Sequence, residues 1–290
     1  MPSRPLQSLL AFAFLLTIGS VARSQTERSV GEVDVEKLLE SLHFHAPFDG
    51  TADAKRFAGD GRIRTADSLR RERITVGMQV PGVSIASGQG RFGDCLRFTQ
   101  KTEQVLLFAG NEMHHSANDW SGTVSLWMRL SPDQDLPEGY CDPLQITHVD
   151  WNDGSLFIDF DKDLPRDFRL GVFSDLTHWN PQKIAWDQWP VDQRPMITVK
   201  RPPFSKERWT HVAFTFERIN AEVGGDSRAT LYLDGKAVGD LKKPLKFSWD
   251  PEKAVILLGV YYVGDLDDLM IFDRALDPAE IAYLTDHTLN

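Results

Sequence analysis

The chain has 290 residues, of which 41% are hydrophobic and 26% charged, and its 42 acidic and 32 basic side chains leave a net charge of −10. A chain of this length can bury a core that stands without metal or disulfide staples. Its acidity, with no basic stripe or polybasic cluster, excludes nucleic acid as a partner, because phosphate backbones are repelled; cations or neutral polymers fit better.

In chain order, the first 24 residues read as a secretory signal peptide. Arg4 precedes the apolar run LLAFAFLLTIG over residues 9–19, and Ala22 and Ser24 supply the small side chains that cleavage requires, so the mature start is expected near Gln25. A run of 11 residues is too short to cross roughly 30 Å of hydrocarbon, and no later stretch reaches the length of a membrane span. The expected location is secreted, periplasmic or in the cell envelope. Cleavage removes two basic residues, Arg4 and Arg23, and no acid, so −10 becomes −12.

Residues 25–41 form a polar extension that ends in a short helix, with Val35, Leu38, Leu39 and Leu42 at helical spacing. From residue 42 the period changes to two. Leu42, Phe44, Ala46 and Phe48 alternate with His43, His45 and Pro47 before the turn at Asp49 and Gly50. Strand-like runs then recur: QVLLFAG, GTVSLWMRL, GSLFIDF, FRLGVFSD, THVAFTFER, AVILLGVYY and DLMIFD. In ATLYLDGKAVG, Asp234 and Gly235 supply the positive φ angles of a two-residue hairpin turn. Near the end, Asp277, Pro278 and Glu280 occupy Ncap, N1 and N3 of a capped helix expected to reach Asp286. The pattern predicts one all-β domain over residues 42–290, an antiparallel two-sheet sandwich with short N- and C-terminal helices and an insertion over residues 178–203. There is no internal repeat and no low-complexity linker.

Several of these segments carry a family resemblance. HFHAPFDG, GRFGDCLRF, SGTVSLWMRL, RWTHVAFTFER, LYLDGKAVG and above all GDLDDLMIFDRALDPAEIAYL stand in the order found in LamG-like jelly-roll domains of the concanavalin A-like lectin and glucanase superfamily, which the chain resembles over roughly residues 42–288. The resemblance implies a jelly roll used outside the cell, mostly for adhesion or glycan recognition, often with a structural calcium ion; it does not imply catalysis, which a few relatives of this sandwich nevertheless carry out as glycoside hydrolases. Cys95 departs from the small apolar residue usual there. The long insertion has no counterpart from which a surface could be inferred.

Two cysteines, Cys95 and Cys141, permit one disulfide closing a loop of about 47 residues and contributing roughly 4 kcal/mol; the alternative is two separate half-buried thiols. Asp267 and Asp268 lie on a predicted strand with Leu269 and Ile271, so alternation turns Asp267 inward, where a carboxylate needs a partner. Calcium would serve, held by Asp267, Asp268 and the first-strand region at Asp49, as the resemblance also implies. The rival is a carboxylate bonded to backbone N–H groups or to Arg274. Asp159, Asp161, Asp163 and Asp167 alternate like a calcium loop, but Leu164 stands where the sharp-turn glycine belongs, which favours a solvated hairpin tip. The pairs His43 with His45 and His114 with His115 lack a third zinc ligand.

Trp179, Trp186 and Trp189 fall in the insertion with Pro181 and Pro190, and Trp151 stands beside Asp150 and Asn152. Exposed indoles stack on sugars and cations, making this the expected ligand platform; the alternative is a hydrophobic lid folded under the loop. The expected function is a secreted, noncatalytic module binding a glycan or an extracellular protein. A glycoside hydrolase on the same fold and a structural envelope component are the alternatives, the first disfavoured because the glutamate-rich strand of laminarinase-type enzymes is absent.

Overall fold

A computed structural model describes residue 1 and residues 33–222 and 225–289. Apart from residue 1, the expected signal peptide and residues 25–32 lie outside the described residues. Helix α1 (Val35–Ser41) starts at Asp34, whose carboxylate accepts from the Lys37 amide at 3.1 Å, and runs straight into β1 (Leu42–Ala46). There follow β2 (Arg64–Ala66), β3 (Ile74–Val76), β4 (Val83–Ala86), β5 (Cys95–Phe98), β6 (Val105–Ala109), β7 (Trp120–Arg129), α2 (Pro132–Asp135), β8 (Cys141–Asp150), β9 (Asp153–Phe160) and β10 (Phe168–Phe173). The second half holds α3 (Leu176–Trp179), β11 (Met196–Val199), β12 (Thr210–Ile219), β13 (Ser227–Leu233), β14 (Lys236–Lys243), β15 (Val255–Val260), β16 (Gly264–Phe272) and α4 (Pro278–Tyr283).

The strands form two antiparallel eight-stranded sheets. The first runs β14-β13-β12-β7-β16-β5-β4, and the second β11-β10-β9-β8-β15-β6-β2-β3. Strand β16 is long enough to pair β5 along residues 264–266 and β1 along residues 269–272, so the first and last strands meet as the resemblance implied. Phe44, Phe108, Phe160, Phe168, Phe214 and Phe216 are fully buried between the sheets with Trp120. Each such ring contributes about 1.5–3 kcal/mol by leaving water. On the outer face of the first sheet, Ala213, Tyr232, Met270 and Phe272 are covered by α1 and α4 through Leu38, Ile281 and Leu284. The β13–β14 turn has φ of 47° at Asp234 and 74° at Gly235 as expected, and Asp277 and Glu280 form the reciprocal capping box. Helix α4 ends at Tyr283, short of the expected Asp286.

Alternation misplaced Asp267. A register shift between Asp267 and Met270 inserts Asp268 as an extra residue at φ 52°, and such a bulge reverses which face the following residues occupy. Leu269 and Ile271 point into the core, whereas Asp267 pairs with Trp127 on the opposite, outer face of the first sheet.

The disulfide expectation is also corrected. Cys95 and Cys141 are free and buried. Leu96 and Phe98 point β5 inward, so Cys95 faces away from the core, while Cys141 on the other sheet faces into it. Burial pushes the Cys95 thiol up to about 12 and the Cys141 thiol up to about 11, which keeps both unreactive. Titration with a thiol reagent in denaturant, without reductant, is expected to find two thiols, and native protein none. A denatured chain that titrates zero would restore the disulfide.

Candidate functional site

The outer face of the second sheet follows from strand parity. Leu144, Ile146, Leu156, Ile158, Leu170 and Val172 enter the core, so the residues between them face outward. Register then aligns Met196, Gly171, Phe157, Gln145 and Leu257 in one row across five strands, with Arg169 opposite Asp159 in the next. These outward residues do not meet bulk water. A groove of about 310 Å³ lies over them, floored by Phe157 and Gln145 and walled by Tyr140, Trp151, Trp186 and Tyr261. Glycine is required at position 171, because a side-chain carbon there would collide with the Phe157 ring, which lies across that position and stacks on Phe173 at 5.5 Å.

One end of the groove is polar. Asp159 is 3% exposed and receives one guanidinium edge of Arg169 through two hydrogen bonds, Nε to Oδ1 at 2.9 Å and Nη2 to Oδ2. Arg169 also donates to Asp161 at 3.1 Å and lies over the Tyr140 ring at 4.9 Å. Asp159 is therefore no solvated hairpin tip; it stands on the outward face of β9, under the groove, and only Asp163 in that acidic run is fully exposed. Asp142, displaced by the bulge between Cys141 and Leu144, opens into the groove without a hydrogen bond among the described residues. Burial raises its pKa well above the usual carboxylate range, and the neighbouring Asp159 charge raises it further. Burial raises Asp159 too, but Arg169 opposes that rise. Burial therefore favours the protonated form more strongly at Asp142 than at Asp159, whose charge Arg169 supports.

The other end is aromatic. Trp151, in the β8–β9 turn, and Trp186, in the insertion, meet edge to face at 5.5 Å and both line the groove. Arg194 covers one face of Trp186 at 4.2 Å. Trp179 and Trp189 do not line it. They pack on each other at 5.4 Å, Trp179 against Phe173 at 5.1 Å, and the Trp179 indole N–H donates to the Asn152 carbonyl at 2.8 Å. Two of the four tryptophans therefore face the groove, and two brace the loops behind it. Asp142, Gln145, Arg169, Arg71, Lys101 and Tyr261 were missed from sequence, although parity within GSLFIDF and FRLGVF would have turned Asp159 and Arg169 outward together.

The expected calcium ligands lie on the first sheet. Asp267 Oδ2 accepts from the amides of Arg91 at 2.6 Å and Phe92 at 3.0 Å, while Asp49 Oδ1 accepts from the Asp94 amide at 2.8 Å, so both clasp the turn before β5. Asp268 Oδ1 is shared by His45 Nε2 at 2.6 Å and Thr288 at 2.8 Å. Asp267 Oδ1 and Asp268 Oδ2 are buried without partners. Arg274 pairs instead with Glu280. Neither histidine pair forms a zinc site: His43 stacks edge-on against His114, and His115 packs on Trp120 and Trp249. A different trio, His148, Asp153 and Asp175, places three ligand atoms within 4.8 Å of one another at the ends of β8, β9 and β10. His148 Nδ1 there accepts from the Asp250 amide at 3.1 Å, which leaves the ring proton on Nε2 and disfavours that nitrogen as a ligand.

The Asp142 shift fixes a pH dependence. A carboxyl whose folded pKa is raised destabilises the fold as pH rises from its unfolded value, about 3.9, through its folded value. Asp142→Asn should therefore raise the thermal midpoint at pH 7–8, with the gain vanishing below about pH 4. An unchanged midpoint at pH 8 would mean that Asp142 is well solvated.

With this geometry in hand, comparison with solved structures finds the same architecture. Domain 4 of AbnA, a GH43 extracellular arabinanase from Geobacillus stearothermophilus solved with arabinotriose, is 17% identical with a TM-score of 0.51, over 84% of this chain and 98% of that one. The binding domain of Paraclostridial Mosquitocidal Protein 1 is 16% identical with a TM-score of 0.52, over 86% and 52%. The receptor binding domain of botulinum neurotoxin C/D mosaic serotype is 9% identical with a TM-score of 0.55, over 86% and 51%, so the chain spans about half of these two proteins. No sequence among curated proteins matches. A family profile matches residues 104–282, more than half of the chain, and the protein belongs to that family, the concanavalin A-like lectin/glucanases superfamily.

Proposed function

We propose that the chain is an exported, noncatalytic recognition module that takes a glycan in the groove on the outer face of its second sheet. The observation that carries this reading is the pairing of two half-buried indoles, Trp151 and Trp186, with the buried polar groups Gln145, Asp159 and Arg169 and the half-buried Asp142 along one apolar floor. Sugars present apolar C–H faces and hydroxyl edges, and a site for them combines aromatic faces with a few fixed donors and acceptors. The arabinotriose held by the structurally similar arabinanase domain supports a glycan over a protein partner. Export rests on the composition of the first 24 residues.

A glycosidase reading meets a specific obstacle. Asp142 and Asp159 share the groove, and hydrolysis needs two carboxyls flanking the scissile bond. Both Asp159 oxygens are engaged by Arg169, so neither is free to attack a sugar carbon or to activate water. Turnover assays should release no reducing ends from any polymer that binds.

Binding is tested on a glycan array followed by titration calorimetry. Trp151→Ala and Trp186→Ala should each weaken the best ligand about tenfold, as expected when one stacking face is lost. An array on which nothing binds, or variants that bind as well as the parent, would sink the glycan reading.

A structural calcium ion fits the first sheet: Asp267 Oδ1 is a buried oxygen without a donor, and burial pushes this carboxyl up to about 8, a state that a cation would reverse. Asp267, with carbonyls near Asp49, would hold the ion, whose role would be to tie the turn before β5 to the last strand. A ligand that binds only the folded state raises stability by about 2.7 kcal/mol at a hundred times its Kd. Thermal melts with calcium should lie several degrees above melts with chelator, and identical curves would remove the ion.

A further inference from the structure

Net charge and local charge disagree in the groove. The chain as a whole carries −10, which disfavours an anionic ligand on average. Beside Trp151, however, the groove presents a guanidinium that no carboxylate neutralises. Arg71 stands in the β2–β3 turn at φ 55°, half-buried, its amide donating to the Ser68 carbonyl at 3.0 Å. One of its terminal nitrogens donates to the carbonyls of His148 at 3.4 Å and Val149 at 3.2 Å, immediately before the turn that carries Trp151. Its Nε and other terminal nitrogen have no hydrogen bond, and no acid among the described residues lies within 4 Å of it. The nearest relevant charge, Asp150, acts on Arg71 only at longer range and uses its Oδ1 on the Trp151 amide at 2.7 Å.

Burial lowers the Arg71 pKa, the expected effect of withdrawing a cation from water without giving it a counterion. Such a group gains when an anion arrives, and the unoccupied Nε and second terminal nitrogen leave N–H donors for a carboxylate. A second cation lines the same groove. The Lys101 ammonium sits over the Tyr261 ring at 4.7 Å and donates to the Glu138 carbonyl at 3.5 Å, again without a carboxylate. The third, Arg169, is occupied by Asp159 and Asp161. Arg169 thus serves both Asp159 and Asp161, and burial favours the protonated form of Asp142. The formal charges lining the groove balance, but Arg71 and Lys101 form no ion pair within 4 Å among the described residues.

We propose that the groove selects glycans bearing carboxylate groups, namely uronic acid polymers, with a sugar ring stacked on Trp151 and its carboxylate paired to Arg71. This rests on the glycan reading and adds the substrate class to it. The expectation from overall charge that neutral polymers fit better is reversed locally, because field at a few ångströms is set by adjacent groups and distant surface charge is screened beyond about 8–10 Å.

The test uses the full chain with polygalacturonate and alginate, the same two polymers after chemical reduction of their carboxyls, and dextran sulfate, measured by affinity electrophoresis and calorimetry. The parent should bind at least one uronate polymer tenfold or more tighter than its reduced form, with that preference shrinking as salt rises. Arg71→Gln should lower binding of the charged polymer to the level of the reduced one, and Arg71→Lys should restore part of the preference. Thermal melts establish that each variant is folded, and Lys101→Gln serves as a second variant, expected to lower the preference by a smaller factor. If charged and reduced polymers bind equally, if Arg71→Gln keeps the preference, or if dextran sulfate outcompetes both uronates, the carboxylate assignment falls while Trp151-dependent glycan binding stands. If no polymer binds and Trp151→Ala changes nothing, the glycan reading itself falls.

Discussion

The middle strands of the second sheet are buried on both faces, and the groove exists because of that constraint. An antiparallel sandwich ordinarily leaves one side of each sheet to water. Here β8, β9 and β10 send Leu144, Ile158 and Leu170 into the core and Gln145, Phe157, Asp159 and Arg169 beneath loops on the other side, all buried. A charge in that position is tolerated only with a partner of matched geometry. The bidentate Asp159 and Arg169 pair meets the condition, and in meeting it fixes the polar end of the groove before any ligand arrives. Replacing both by apolar residues of similar volume could stabilise the sheet, so stability alone does not account for the pair. It also gives the groove a rigid array of donors and acceptors, which loses little entropy on contact with a ligand.

The aromatic end obeys the same logic from a different direction. Phe157 can lie flat only because position 171 has no side chain, and Phe173 stacks beside it. That stack is the support on which Trp151, Trp179 and Trp186 converge, each ring centroid within 5.7 Å of Phe173. The insertion is therefore held by aromatic packing onto the sheet, with the Trp179 N–H bonded to the Asn152 carbonyl tying it to the turn that carries Trp151. The lid and the groove wall are two parts of one cluster: Trp179 and Trp189 pack behind the loop, and Trp151 and Trp186 face the groove.

What could be read from the sequence divides along the range of the interaction. Strand alternation, the Asp234 and Gly235 turn and the Asp277 capping box are local, so the architecture was legible, and the closing segment was specific enough to identify the family. Short strands such as Arg64–Ala66 and Ile74–Val76 carry too few residues to show a period. The bulge at Asp268 was invisible because it is set by pairing with β7, a strand some 140 residues away, and it reversed the face assigned to Asp267. The partnership of Asp159 with Arg169 was within reach, since both stand at alternating positions in apolar runs, but the acids of FIDFDKD read together as one exposed hairpin tip. Arg71 was out of reach altogether. Its meaning depends on which carbonyls and carboxylates the fold brings near it.

The positions of Asp267 and the groove on opposite sheets have a thermodynamic consequence. Asp267 and Asp268 lie on the outer face of the first sheet, beneath the C-terminal segment, and the groove lies on the outer face of the second, with the whole inter-sheet core between them. Groups that share no partner and are separated by more than about 7–10 Å act additively on stability. An ion at Asp267 would therefore add to the free energy of the fold as a whole and leave the affinity of the groove unchanged, because coupling requires an element with two arrangements that both sites bias. The loops that could differ in arrangement are on the other side of the molecule, where the β8–β9 turn, the insertion and the β2–β3 turn meet around Trp151. In the proposed glycan reading, affinity and specificity would be governed by that junction: the insertion sets the position of Trp186, the β8–β9 turn that of Trp151, and the β2–β3 turn that of Arg71 beside it.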